Sequence, residues 1–305
     1  FLEGTELFAG QKVFEANDSV IDVLKERAAL VHAETLTHSY PHCWRHKTPI
    51  IFRATPQWFI SMDANDLRNK ALKEISKTKW TPDWGENSIR AMVEQRPDWC
   101  VSRQRNWGVP ITAIRCACGS HKVTTPEVVE SIAKQVEEAG ADVWFAKDVN
   151  AFLPDYATCP DCGGSEFEKE TDILDVWFDS GSTHACVLEA RAAHHSPADR
   201  YLEGADQHRG WFHTSLLTAV GTRDQAPFKA VLTHGFVVDA NGKNMYKSVG
   251  NVIAPKEVIN RYGAEMLRLG VYAADYSDDV RISEKITQHL IDAYKKQRIT
   301  TKKEE

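Results

Sequence analysis

No run of apolar residues in this chain of 305 approaches the roughly 20 that a bilayer crossing needs, and no charged, apolar, small-residue leader opens it. A soluble protein is expected. A basic excess is missing too. With 37 Lys and Arg against 43 Asp and Glu the net charge is −6, so no global positive field announces RNA, and any RNA contact must come from local patches. Internal repeats and long low-complexity runs are absent. The seven cysteines are odd in number and lack a secretory context, which points to reduced thiols in the cytoplasm rather than a disulfide scaffold. What is present is length and apolar content: 305 residues at 42% hydrophobic exceed the usual single domain and can bury the cores of two or three modules.

The richest stretch is Tyr201-Leu-Glu-Gly-Ala-Asp-Gln-His-Arg-Gly-Trp-Phe212, an apolar approach, a glycine turn and a polar quartet before a helical pattern. It reads as a strand end, a binding loop and a helix start. With Asp206 as the helix cap, Phe212, Leu216 and Val220 recur on one face, and Glu203, Asp206 and Gln207 stay at the positive end of the helix. Gly204 lets a backbone approach a ribose or phosphate closely, and ligands of open parallel sheets sit beyond the carboxyl ends of the strands. Further on, Phe228-Lys-Ala-Val-Leu-Thr-His-Gly-Phe-Val-Val-Asp239 reads as a strand, followed by a turn at Asn241-Gly242. The basic loop Gly242-Lys-Asn-Met-Tyr-Lys-Ser-Val-Gly-Asn251 has glycines near both ends. A lysine there can swing over a polyphosphate and neutralise charge developing at phosphorus.

Cys116-Ala-Cys118-Gly and Cys159-Pro-Asp-Cys162-Gly-Gly form a pair of knuckles. Thiolates on a glycine-bent turn supply half of a tetrahedral zinc shell, so the two turns make four ligands for a structural Zn2+, with no open position for catalysis. His121 is an alternative ligand, and buried free thiols are the alternative without metal. Cys43, Cys100 and Cys186 read as core or incidental. Between the knuckles, Thr125 to Gly140 predicts a helix capped by Thr125, with Pro126 first, Gly140 as terminator and Val128, Val129, Ile132 and Val136 as its apolar face. A strand over 172–178 is expected to resume the core. Pro255 to Leu267 reads as helical with a break near Gly263, and Ile282 to Arg298 as a further helix before a Lys-Lys-Glu-Glu tail expected to be disordered. Alternating Arg103, Arg105 and Trp107 can hold phosphates and stack on bases, or form structural ion pairs.

Both loops, in this order, resemble the second half of a class I aminoacyl-tRNA synthetase, and within it the isoleucyl-tRNA synthetase family. Further marks are His38-Ser-Tyr-Pro-His-Cys-Trp-Arg45 with Arg53-Ala-Thr-Pro-Gln-Trp-Phe59, Arg96-Pro-Asp-Trp-Cys-Val-Ser-Arg-Gln-Arg-Asn-Trp-Gly108, and Asp175-Val-Trp-Phe-Asp-Ser-Gly-Ser-Thr-His184. The resemblance implies an ATP-dependent ligase joining isoleucine to tRNA-Ile, with Mg2+ accompanying ATP. It implies that Glu203 contacts the amino acid moiety of the adenylate, that Gly204, Asp206 and Gln207 hold the adenosine, and that His234 and Gly235 lie near the adenine. Lys247, with Ser248 beside it, matches the second lysine of the family's Lys-Met-Ser-Lys-Ser loop and stabilises the phosphates. Trp177 to Gly181 are expected to line the same crevice.

Three departures accompany the match. Asn244 replaces the first loop lysine, and Tyr246 the serine between the two. Gly270 stands where the family has tryptophan, which is expected to leave a hole in helix packing. No two histidines stand three apart, so the family's His-x-Gly-His segment has no counterpart here. The chain also starts at Phe1, within what resembles the tail of the editing insertion. The expectation is a fragment that holds part of an adenylate pocket and does not complete activation alone.

The expected fold is α/β: the second half of a class I Rossmann-like core with a zinc ribbon-like insertion and a short helical C-terminal segment. Its expected parts are the end of the editing insertion with a return strand (1–60), a connecting segment (61–110), the zinc insertion (111–170), the core with the Lys247 loop (171–253) and a helical stem-contact segment opening an anticodon-binding domain (254–305). The alternatives are a non-catalytic RNA- or protein-binding module, and one subunit of a split enzyme whose N-terminal half is a separate chain.

Overall fold

The computed structural model describes the chain except residues 44, 248 and 305 and the side chains at 284, 286 and 297–304. Two compact units divide it, Phe1–Pro56 and Gln57–Glu305. Among its described residues the smaller unit contains one helix, α1 (Ala16–Glu26), and a turn at Cys43. In that turn Cys43 N donates to Thr48 O and Lys47 N to Cys43 O, both at 2.8 Å. Backbone N–H groups of His46 and Arg45 draw the Cys43 thiol down to about 7. Editing-type strands are expected here, yet the isolated His42–Pro49 bridge is the only β pairing among this unit's described residues. Lone strands without a partner sheet are not stable in water.

The larger unit begins with β1 (Phe59–Ile60), α2 (Leu67–Lys77), β2 (Lys79–Thr81), α3 (Trp84–Glu94), β3 (Trp99–Cys100) and β4 (Ser102–Arg103). An excursion follows through β5 (Ile114–Cys116), α4 (Pro126–Ala139), α5 (Val143–Ala146) and β6 (Phe167–Lys169), before β7 (Ile173–Leu174) and α6 (Val176–Gly181). Then come β8 (Tyr201–Gly204), α7 (Trp211–Arg223), β9 (Ala230–His234) and β10 (Val237–Val238). The chain closes with α8 (Pro255–Tyr262), α9 (Ala264–Ala273), β11 (Val280–Arg281) and α10 (Glu284–Glu304).

At the centre, β2, β9 and β8 form a parallel sheet in that order. Parallel strands need helical crossovers and both faces covered. The principal core accordingly joins sheet residues Trp80, Tyr201 and Val231 to Ile75 of α2, Ile89 of α3 and Phe212 of α7. From Phe212 to Val220 every residue of α7 is buried, so the expected Phe212, Leu216 and Val220 stripe is only part of a helix enclosed all round. Glycine sets one of its contacts. A Cβ at Gly181 would stand 3.0 Å from the Thr214 carbonyl, so α6 and α7 touch backbone to backbone, and Thr218 Oγ1 donates to Gly181 O at 2.7 Å.

The excursion has a core of its own. β5 and β6 pair antiparallel, and Ile114, Val128, Ile132, Trp144 and Phe152 pack together beside them. Thr125 accepts a hydrogen bond from Val128 N, Pro126 opens α4, and Gly140 ends it at φ +81°, as its sequence predicts. Val128 and Ile132 are buried, while Val129 is exposed. The strand expected over 172–178 stops at Leu174, because the Asp175 carboxylate accepts from Trp177 N and starts α6 instead.

Gly263, at φ +88°, separates α8 from α9 as expected. Gly270 lines an apolar cavity of about 770 Å³ together with Met266, Leu267 and Leu290. The last helix runs through Glu304, where a disordered tail is expected; Lys and Glu are good helix formers and extend it.

Candidate functional site

Parallel pairing of β8 with β9 puts Gly204 opposite His234 at the carboxyl ends of the sheet. Beyond them lies a cavity of about 520 Å³, lined by Trp84, Ala205, His234, Gly235, Gly242 and Arg281 among others. This is the crevice where open parallel sheets take ligands.

Two glycines shape it. A Cβ on Gly235 would stand 2.2 Å from the carbonyl oxygen of Asp278, while Gly235 N donates to Tyr276 O at 2.8 Å. The strand end is thus pressed against the 276–279 backbone. At Gly204 a Cβ would come within 2.8 Å of Asp206 Oδ1. Behind the cavity His208 is fully buried, stacked on Trp84 at 5.3 Å and joined through Nε2 to Thr233 Oγ1 at 3.0 Å. Burial holds its ring below the usual histidine range.

Asp206 does not cap α7. Ala205–His208 forms a separate single turn, and the first amide of α7, Trp211 N, donates instead to Gln207 Oε1 at 2.8 Å. Three residues intervene between Asp206 and the true cap, Gly210, so the aspartate is spaced wrongly for the helix. Gln207 reaches back because Gly210 leaves room, a Cβ there falling 2.5 Å from Gln207 Oε1.

The basic loop hangs from Asp239. Its Oδ1 accepts from Asn241 N and Lys243 N, both at 2.9 Å, and its Oδ2 from Asn251 Nδ2 at 2.9 Å. Asn251 also accepts from Tyr246 N, closing the loop on itself. These contacts hold the Asp239 carboxyl below the usual carboxylate range, the Asn251 amide first. Asn244 Nδ2 points to the Tyr246 hydroxyl at 3.4 Å, so the two residues that depart from the family pattern meet each other.

The structure therefore brings Ala205, His234, Gly235 and the loop base at Gly242 to one cavity. Gly204, Glu203, Asp206, Gln207 and Lys247 stand outside its lining; Glu203 and Lys247 are exposed. Ser248 lies outside the described residues. Sequence reasoning missed Trp84 and Arg281. Trp84 follows the short strand β2, whose three residues carry too little periodicity to be seen, and Arg281 belongs to β11, distant in sequence.

The arginines expected to touch RNA behave differently from one another. Arg103 donates to Cys100 O and Ser102 O and forms a 2.9 Å ion pair with buried Asp175, so it braces β4. Arg105 is exposed, and Trp107 is 93% exposed.

In the excursion the two knuckles converge. Cys116 and Cys162 Sγ lie 3.6 Å apart, as do Cys118 and Cys159, and all four sulfurs fall within 4.8 Å of one another. A tetrahedral zinc with Zn–S of about 2.3 Å puts its sulfurs about 3.8 Å apart, so the donor set fits this ion. Cys159 is lowered to about 6 by backbone N–H groups of Asp161 and Cys162. Cys116 receives the Cys118 N–H, yet burial and the neighbouring sulfurs push it up to about 12. His121 packs edge-on against Trp58 and is not among the clustered groups.

Among the described residues no helix is long and apolar enough to cross a membrane. Comparison with known proteins completes the picture. The family model for class I tRNA synthetases (I, L, M and V) matches residues 5–283. The chain is 57% identical to an isoleucine–tRNA ligase of Syntrophotalea carbinolica over 99% of its own length and 33% of that protein's. It is 57% identical to the ligase of Geobacter sulfurreducens, over 98% and 32%, and 51% identical to that of Thermotoga maritima, over 98% and 33%. It thus spans about a third of the length of the curated relatives it matches. The fold is similar to that of Mycobacterium tuberculosis methionyl-tRNA synthetase in complex with methionyl-adenylate, with a TM-score of 0.53 at 16% identity, covering 85% of this chain and 41% of that one. A parallel sheet ending in a crevice, with a basic loop based at its rim and a family match running almost end to end, makes this chain a member of the class I tRNA synthetase family.

Proposed function

We propose that the chain is part of an isoleucine–tRNA ligase, which activates isoleucine with MgATP and transfers it to tRNA-Ile. The observation that carries this reading is the cavity at the carboxyl ends of β8 and β9, with the loop base at its rim, in a chain 57% identical to such ligases. In the proposed reaction the isoleucine carboxylate attacks the α-phosphorus of ATP, pyrophosphate leaves, and the mixed anhydride forms. A tRNA ribose hydroxyl then attacks the acyl carbonyl and AMP departs. No protein nucleophile is required; positioning and charge stabilisation suffice.

In this reading adenosine occupies the cavity beside His234 and Gly235, with Gly204, Asp206 and Gln207 along the β8 side. Glu203 meets the substrate ammonium. Lys247, with Ser248, closes over the phosphates when the loop swings inward on its Asp239–Asn251 anchor; the exposure of Lys247 supports such freedom. Arg105 and the exposed Trp107 contact tRNA, with Arg103 bracing them. The four clustered thiolates hold a structural zinc that ties the two knuckles of a ribbon-like insertion, and seven free cysteines fit a cytoplasmic setting.

The test is isoleucine-dependent exchange of pyrophosphate into ATP. We expect none from this chain alone and restored exchange when the remaining two thirds of a relative's sequence is supplied in trans. Robust exchange by the isolated chain overturns the division of labour. RNA binding without restored exchange favours the binding-module reading instead.

A further inference from the structure

The two cysteine knuckles are held face to face by more than their sulfurs. In the first, Gly119 N donates to Cys116 O and Cys116 N to Ser120 O; in the second, Gly163 N donates to Cys159 O and Cys159 N to Gly164 O, all at 2.8 Å. Positive φ at Gly119 and Gly163, +90° and +72°, permits both turns. The antiparallel β5–β6 pairing, continued by Ala117 N donating to Glu166 O at 3.0 Å, sets one turn against the other, and the 2.6 Å ion pair of Lys122 with Asp161 spans them.

Burial sorts the four thiols. Cys116 and Cys159 are 3% and 2% exposed, whereas Cys118 and Cys162 stand open to solvent. The 3.6 Å contacts run across the knuckles, Cys116 to Cys162 and Cys118 to Cys159, so each joins an open sulfur to a buried one. A small oxidant in solution meets the open member first, and the buried member is already in place to attack the product. Four cysteines allow three double pairings. In one of the other two, Cys116 meets Cys159 and neither sulfur is open to an oxidant. In the other, a Cys116–Cys118 bond closes over a single residue, Ala117, whose N–H is engaged by Glu166.

We propose that the cluster is a site of oxidation by peroxide, in which disulfides Cys116–Cys162 and Cys118–Cys159 form across the knuckles. In each pair the open sulfur attacks a peroxide oxygen, the O–O bond breaks and water leaves, giving a sulfenic acid. The buried thiol then attacks that sulfur, an S–S bond forms, the S–O bond breaks and a second water leaves. Each pair of thiols loses two electrons, and one hydrogen peroxide is reduced to two waters. The disulfides join the same two turns that the proposed zinc would tie, and a thiol reductant reverses them by exchange. This chemistry stands apart from the ligase reading and from zinc occupancy.

The test treats the full chain, as purified under reductant, with hydrogen peroxide, alkylates the remaining thiols after denaturation, and maps tryptic peptides by tandem mass spectrometry. The four cluster thiols should escape alkylation until reductant is added. The peptide Cys116–Lys122 should be held to Asp148–Lys169, with the bonds placed at Cys116–Cys162 and Cys118–Cys159. Cys118→Ser and Cys162→Ser should each keep one crosswise bond, Cys116–Cys162 in the first and Cys118–Cys159 in the second. The unaltered chain decides the matter if either variant fails to fold. A bond within one knuckle, or four thiols still open to alkylation when a free-thiol control is oxidised, overturns the site. Zinc measured on the same sample separates the two readings: crosswise bonds in a chain that never held zinc sink the structural metal and leave this site standing.

Discussion

Gly235 shows how much one missing Cβ can decide. Since an added methyl would overlap the Asp278 carbonyl at 2.2 Å, Gly235→Ala must push the 276–279 backbone away from the strand end. We expect a loss of about 1–3 kcal/mol in urea unfolding, the range for overpacking a tight contact; an unchanged midpoint would show that the loop yields freely. At Lys247 the expected cost falls on rate. Lys247→Ala should lower adenylate formation by about 10²–10³ in the complemented enzyme, as loss of one preorganised charge donor does. His213 makes a pH prediction. Burial holds its folded pKa at about 3, against 6.5 for the free side chain. Between those values the unfolded chain binds a proton that the folded chain refuses, so stability is full above pH 6.5 and falls as the pH drops. The loss is at most roughly 1.4 kcal/mol per pH unit and levels off near pH 3. Urea midpoints across that window should decline less in His213→Gln. Single residues were legible where their role is local: Thr125, Gly140 and Gly263 act through their own backbone. The cap of α7 was not, because Gln207 gains its role from space at Gly210 that only the folded turn reveals.

Among the elements, the excursion between β5 and β6 is the part that the proposed zinc would tie together. Its core holds a fully buried Trp144 and a small apolar set, with the four sulfurs at one end. One zinc per chain is expected from elemental analysis, and chelation should shift tryptophan emission to the red as Trp144 meets water, because a small module without its metal cannot hold its core. Chelation that leaves both emission and melting unchanged would argue that the thiols stand without metal. Cys159→Ser should reproduce the chelated state. Legibility differed between elements for a physical reason. The knuckles and α4 were readable since short-range chemistry builds them, whereas 172–178 reads as apolar and β-prone until Asp175 caps Trp177 N and turns the chain into α6. Strand β2 escaped notice because its three residues gain their form from pairing with β9, far along the sequence.

For the molecule as a whole, the parallel order β2–β9–β8 is what joins distant sequence segments into one crevice. The richest loop of the sequence supplied the position of that crevice, but not its full lining: Trp84 arrives from α3 and Arg281 from β11. Glu203 and Lys247, which the resemblance assigns to the amino acid moiety and the phosphates of one adenylate, are both exposed and neither lines the cavity. In the proposed reading they converge only when the ligand is bound and the loop moves inward. Calorimetric titration of the chain with a non-hydrolysable isoleucyl-adenylate analogue tests this most directly. The account predicts binding that Glu203→Gln and Lys247→Ala each weaken, with valyl and leucyl analogues bound less tightly. Saturable binding left untouched by both substitutions, or no binding at all, would contradict it.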